Sequence, residues 1–212
     1  MKPTPRTARG FDNVYDPSED SFFLIDCLEK DEQFLQRFAC PTVLELGTGT
    51  GIVSSFVPQL VNKYVPVATD VSPLACQCAA ESWRLNWPGS SLEVVRGDLL
   101  SFWRAHTVDV LLFNPPYVPT ERVPERPTAE TDDRWVDLAL DGGADGMEIT
   151  NVVLDQLDTC LSPNGVAYIL FIAGNHPETV CKNMNARGWL AVHIDTRRAG
   201  REVLSVYRFS RA

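Results

Sequence analysis

Apolar positions change their period twice along the chain. After a polar, basic stretch with two prolines at residues 1–13, "SFFLIDCLEK" has apolar Phe22, Phe23, Ile25 and Cys27 and reads as a mixed helix. The acids Glu19 and Asp20 stand in its first turn, where they suit the helix dipole. From Pro41 the pattern becomes short runs alternating with helical ones. "TVLEL", "VPVATD", "SLEVVRG" and "VDVLLF" read as strands, the last as a strong buried one. Between them, "IVSSFVPQL" is a helix ending near Pro58, and "PLACQCAAESWRLN" is a longer helix. Residues 119–135, rich in proline and charge, read as a long loop, which in a compact domain is usually functional or mobile. "GMEITNVVLDQLDTCL" is helical, "GVAYILFI" a strand and "PETVCKNMNARG" a helix. "WLAVHID" and "EVLSVYRF" close the chain as a strand pair. Strands alternating with helices predict an α/β fold with a doubly wound, mostly parallel sheet. The expected division is a flexible arm over 1–13 and one domain over 14–212.

Composition narrows the partners rather than the fold. With 212 residues the chain suits one α/β domain, and 44% apolar with 22% charged residues is ordinary for a globular protein. No apolar run approaches a membrane span and Met1 to Gly10 has no signal core, so a cytoplasmic or nuclear location is expected. The six cysteines form no C-x-x-C pair, and no metal site is expected. Acids outnumber bases 28 to 19, for a net charge of −9, which argues against duplex nucleic acid as the main partner. Arg197, Arg198 and Arg201 form a small basic cluster, read as solvated turn charges.

Candidate chemistry sits at strand ends. "VLELGTGTG" places Glu45, Gly47, Gly49 and Gly51 where a buried strand turns into a helix, and glycines there let the backbone approach a ligand. An acid at Glu45 can meet a ligand amine. Asp70 ends the next strand, where an acid can accept two ribose hydroxyls. Asp98, in "RGDLL" beside Leu99, follows the third strand and can take an adenine amine. A pyrophosphate at this turn would be repelled by Glu45. Taken singly each acid reads better as a solvated loop charge; jointly, in this order and with Asn-Pro-Pro-Tyr closing the fourth strand, they describe S-adenosyl-L-methionine. At the end of the fourth strand "LLFNPPYVP" stops a buried run with Asn114, Pro115, Pro116 and Tyr117. The prolines stiffen the exit, and one amide beside one ring suits a planar group gripped in its plane by hydrogen bonds.

These motifs resemble those of class I S-adenosylmethionine-dependent methyltransferases that act on planar nitrogens. "VYDPSEDSFFLIDCLEKD" and "GREVLSVYRFS" narrow the resemblance to eukaryotic relatives of the HemK-type release-factor glutamine methyltransferases. It spans nearly the whole chain from Phe11. It implies a seven-stranded, Rossmann-like sheet with the last strand antiparallel. It implies cofactor contacts at Ser21, Glu45, Gly47, Gly49, Asp70, Asp98, Leu99 and Asn114. The substrate amide is expected against Asn114, with Pro115, Pro116 and Tyr117 shaping its slot. The resemblance also implies a translation termination factor as substrate, modified on the glutamine of its Gly-Gly-Gln motif, and a heterodimer with a small zinc-binding activator. Bacterial relatives carry an N-terminal helical domain for which the residues before the first core strand are too few. "SLEVVRG" at 91–97 is the edge expected to receive the activator; equally, Val94 and Val95 fill this chain's own core. Adenine in nucleic acid, protein lysine, and a non-catalytic scaffold are the rival functions.

Overall fold

The computed structural model describes residues 1–130 and 132–212. Helix α1 (Glu19–Lys30) and the single turn α2 (Glu32–Leu35) precede strand β1 (Thr42–Leu46). Then follow α3 (Ile52–Phe56), β2 (Val65–Asp70), α4 (Pro73–Asn86), β3 (Glu93–Arg96) and β4 (Val108–Phe113). The second half comprises α5 (Arg134–Leu140), α6 (Glu148–Cys160), β5 (Leu161–Ile172), α7 (Pro177–Ala186), β6 (Trp189–Ala199) and β7 (Glu202–Arg211). Local chemistry sets several of these boundaries. Helix α4 starts where Ser72 caps the Ala75 N–H and Pro73 supplies a preset φ in the first turn. Gly51, in a left-handed conformation, leads into α3, and a Cβ there would lie 2.7 Å from the Ala79 Cα, so only glycine lets α3 and α4 approach so closely.

The seven strands form one sheet in the order β3-β2-β1-β4-β5-β7-β6. Pairings from β3 through β5 are parallel, and β7 lies antiparallel between β5 and β6. Alternation along the central strands divides their side chains between two cores. Val110 and Leu112 join α1 and α3 on one face, while Leu111 and Phe113 join α6 and α7 on the other. Each fully buried side chain of this size contributes roughly 1.5–3 kcal/mol. The chain runs outward from β1 to β3 and then returns to β4 beside β1. That reversal opens a crevice at the carboxyl ends of β1 and β4, the usual ligand position in such sheets.

Two expectations need correction. The segment 1–13 is not a loose arm: it lies against α1 and α4. Arg6 N donates to Asn86 Oδ1 at 2.9 Å, Asn86 Nδ2 returns a bond to Arg6 O at 2.7 Å, and Ala8 N donates to Ser82 Oγ at 2.9 Å. Pro5 is buried, and Ala8 and Phe11 pack on Val14, Ala75 and Cys78. Side chains of α4 thus supply the partners that water would otherwise provide. The expected loop 119–135 is also shorter, because α5 begins at Arg134 and buries Trp135. At the open edge of the sheet, Val94 is half-buried and Val95 is 36% exposed, so this pair does not fill the core. No helix among the described residues is long and apolar enough to cross a membrane.

Candidate active site

A cavity of about 550 Å³ opens at the carboxyl ends of β1, β2 and β4. Ser21, Glu45, Gly47, Gly49, Asp70, Asp98 and Leu99 line it, and so do Asn114, Pro115, Pro116 and Tyr117. The residues expected to contact cofactor and substrate therefore meet in one place, although Ser21 and Asn114 are far apart in the chain; Gly51 instead packs against Ala79 of α4.

The glycine turn after β1 is braced by two carboxylates. Glu45 Oε2 accepts from Thr48 Oγ1 at 2.8 Å, from Ser54 N at 2.9 Å and from Ser54 Oγ, tying the strand to the first turns of α3. Burial pushes the Glu45 carboxyl up from 4.5 to about 7, against the pull of those three donors. Asp70 Oδ2 accepts from Gly49 N at 3.0 Å, and its Oδ1 accepts from Ser72 N at 2.8 Å. Burial raises the Asp70 carboxyl, and the backbone N–H groups oppose that rise. Each Asp70 oxygen keeps a further lone pair, which is the acceptor chemistry a vicinal diol needs.

Asp98 differs from the other two acids. Its side chain is 58% exposed and pairs with Arg126 at 3.1 Å, so the proline-rich segment is tied to the third strand end. Leu99 beside it adopts φ 46°, a left-handed conformation that a branched side chain seldom takes. The ring of Trp135 closes another part of the wall, with its Nε1 donating to Ala129 O at 2.9 Å.

Asn114 holds the most distinctive geometry. Its Nδ2 donates to Asp20 Oδ2 at 3.0 Å, while its Oδ1 is buried and has no partner among the described residues. A buried carbonyl oxygen left unpaired costs about 1–3 kcal/mol, unless a ligand completes it. Tyr117 was expected only as a packed wall, yet its hydroxyl also donates to Asp20 Oδ2 at 3.1 Å. Behind the segment, Asn175 Nδ2 donates to Tyr117 O at 3.1 Å and to Asp145 O at 2.8 Å. The turn at Gly142 to Gly146 fits beneath it: a Cβ on Gly146, at φ +66°, would lie 1.9 Å from Tyr117 O.

Asp20 and Asn175 escaped the sequence reading. The signal for Asn175 was absent, since a polar residue after a strand is ordinary. For the turn at 142–146, the paired Gly142-Gly143 followed by Gly146 was a usable signal of close backbone approach.

The residues present fit an adenosine-linked sulfonium cofactor. Flexible glycines, a carboxylate with spare lone pairs for a diol, and an acid beside the turn all surround one cavity. The model of the methyltransferase small domain matches residues 17–129. Fission yeast (Schizosaccharomyces pombe) has an eRF1 methyltransferase catalytic subunit, mtq2, that is 35% identical over 100% of this chain and 96% of its own length. The Homo sapiens methyltransferase HEMK2 is 33% identical over 95% of this chain and 92% of its own. Among solved structures, the E. cuniculi Mtq2–Trm112 complex, responsible for methylating the eRF1 termination factor, superposes with a TM-score of 0.68. It is 28% identical and covers 94% of this chain and 99% of that one.

Proposed function

Because the chain belongs to the methyltransferase small domain family, alongside the eukaryotic HEMK2-type enzymes, we propose that it methylates a glutamine side-chain amide of the translation termination factor. The glutamine is that of the Gly-Gly-Gln motif, the methyl donor is S-adenosyl-L-methionine, and the chain acts as catalytic subunit of a heterodimer. The observation that carries this reading is the unpaired, buried Oδ1 of Asn114 at the wall of the cavity.

An amide nitrogen is a poor nucleophile because its lone pair is delocalised into the carbonyl. Two acceptors placed in the amide plane hold its hydrogens and favour the positive charge that grows on nitrogen during attack. Asn114 Oδ1 is one such acceptor, and the Pro115 carbonyl is assigned as the other. Pro115 and Pro116 keep the pair rigid, so little reorganisation accompanies the reaction. Glu45 would hold the cofactor amine, Asp70 its ribose hydroxyls, and Asp98 with Leu99 its adenine, with Ser21 and Gly47 at the methionine end. When bound, the cofactor supplies an electrophilic methyl group on sulfur. Asn114 Oδ1 and the Pro115 carbonyl would hold the amide nitrogen in line with that methyl group; its transfer would leave the carbon–sulfur bond pair on sulfur and release the amide proton to solvent.

Lysine fits this site less well. An ammonium must first lose a proton, and Asp20 near Asn114 already accepts from five groups. The net charge of −9 likewise disfavours an adenine in duplex nucleic acid. The partner, a small zinc-binding activator in this reading, docks on β3. That strand is paired on one side only, and Val95, Phe102 and Leu85 are exposed around it. Such an edge accepts an added strand.

The test is methyl transfer from labelled cofactor by the purified heterodimer to the termination factor, with its glutamine intact or replaced. Transfer should vanish with the glutamine. Asn114→Ala should lower turnover on the order of 100-fold, with cofactor affinity changed much less. Transfer that persists without the glutamine, or a fully active Asn114→Ala, would refute the assignment.

A further inference from the structure

Asn114 can offer the cavity either its carbonyl oxygen or its NH₂ group, since the two ends of an amide are almost the same size. Only the carbonyl is useful toward a substrate amide that presents hydrogens. Something must therefore choose the orientation, and the choice cannot come from shape.

The geometry points to Asp20 as the positioning residue that fixes Asn114, an inference that rests on the proposed amide-methylating reaction. Asp20 lies in the first turn of α1, 94 residues from Asn114, and its side chain is nearly inaccessible, with the residue 4% exposed. A carboxylate only accepts hydrogen bonds, so the amide end 3.0 Å from Asp20 Oδ2 must be the NH₂. The carbonyl is thereby turned away, and it is this oxygen that is left buried and unpaired.

Asp20 is itself held firmly enough to do this. Its Oδ1 accepts from Ser21 N at 2.6 Å and Ser21 Oγ at 3.3 Å, and the Tyr15 hydroxyl stands 3.3 Å from both oxygens. Tyr117 OH completes the set at 3.1 Å. All five donors are neutral. Burial, with Asp20 adding to it, raises the Tyr15 and Tyr117 phenols well above their ordinary range, so both remain donors. One buried carboxylate thus sets three groups of the slot: the amide, with its oxygen on the side away from the carboxylate, and two phenols with their hydrogens toward it. It has no proton-accepting role toward the substrate.

Two measurements on the heterodimer test this. In the wild type, with asparagine side chains labelled with nitrogen-15, one Asn114 amide proton should be shifted downfield and protected from exchange. Asp20→Asn, which keeps the shape, should abolish that signature. Turnover should fall about 10- to 100-fold while cofactor affinity stays within about threefold. Introduced into Asn114→Ala, the same substitution should cost less than about threefold further, because the group it orients is already gone. An unprotected Asn114 amide in the wild type, or losses that multiply fully in the double variant, would overturn the role. The amide signal needs no substrate, which separates the two readings. A wild type that leaves the glutamine unmodified, yet shows the protected amide, refutes the substrate and leaves Asp20 as the orienting group. Glutamine methylation with a freely exchanging amide does the reverse.

Discussion

In its proposed role, Glu45 should make cofactor binding depend on pH in a direction that follows from its surroundings. Burial brings its carboxyl from 4.5 up to about 7. In the ligand-free protein the fold therefore keeps a proton that the unfolded chain has lost, and stability declines as pH rises from 4.5 to about 7. Cofactor binding should run the other way, because an ammonium group placed beside Glu45 would select the ionised carboxylate. A cofactor α-amine titrates at about 7.7–8.0, so the productive pair of charges is most populated near neutrality. Combining the two titrations, affinity should fall steadily from pH 7.4 to 5, by on the order of tenfold or more in all. Binding at pH 6 should release protons, measurable by calorimetry in buffers of different ionisation enthalpy. Glu45→Gln preserves an acceptor for Thr48 and Ser54, so the turn should survive. It should flatten the acid limb and remove the proton release. Wild-type affinity that is level between pH 5 and 7.4, with no proton released, would mean that Glu45 only braces the glycine turn.

Other expectations follow from single contacts. Asp70→Ala should weaken cofactor binding at least about tenfold, since a bond to a charged acceptor contributes roughly 1.5–3 kcal/mol; unchanged affinity in a folded variant would take Asp70 out of the site. Val95→Lys should prevent co-purification of the activator while leaving the chain's own stability within about 0.5 kcal/mol, because the side chain is exposed. An intact heterodimer on size exclusion would move the docking surface elsewhere. Gly146→Ala should destabilise the protein by about 1–3 kcal/mol through its left-handed backbone alone, and more if Tyr117 O cannot retreat. Urea denaturation with an unaltered midpoint would contradict that packing.

What the sequence made legible was whatever is encoded locally. Ser72-Pro73 announces α4, and the predicted bounds 73–86 coincide with the observed ones. The apolar run from Val110 to Phe113 has no polar position because both of its faces are covered. The acids at strand ends could be placed around one cavity because parallel strands bring their carboxyl ends together. Illegible features depend on partners far away in the chain. An acid in the first turn of a helix obeys the dipole rule, so Asp20 raised no anomaly until Asn114 stood 3.0 Å from it. The segment 1–13 looked loose because its partners, Ser82 and Asn86, lie more than 70 residues on. Helix α5 is short and follows a proline-rich stretch, and its periodicity could not be separated from that stretch.

The Asn-Pro-Pro-Tyr segment is gripped from both sides: Asp20 holds its amide and phenol in front, and Asn175 holds the Tyr117 carbonyl behind. A slot clamped in this way cannot widen or re-aim itself for a differently shaped acceptor. Relatives sharing it can diverge in clientele only through what surrounds the mouth, such as the Arg126 segment or a subunit carried at β3. If the slot takes a planar nitrogen as proposed, selectivity becomes a matter of delivery, and the neighbouring surfaces decide which macromolecule presents one.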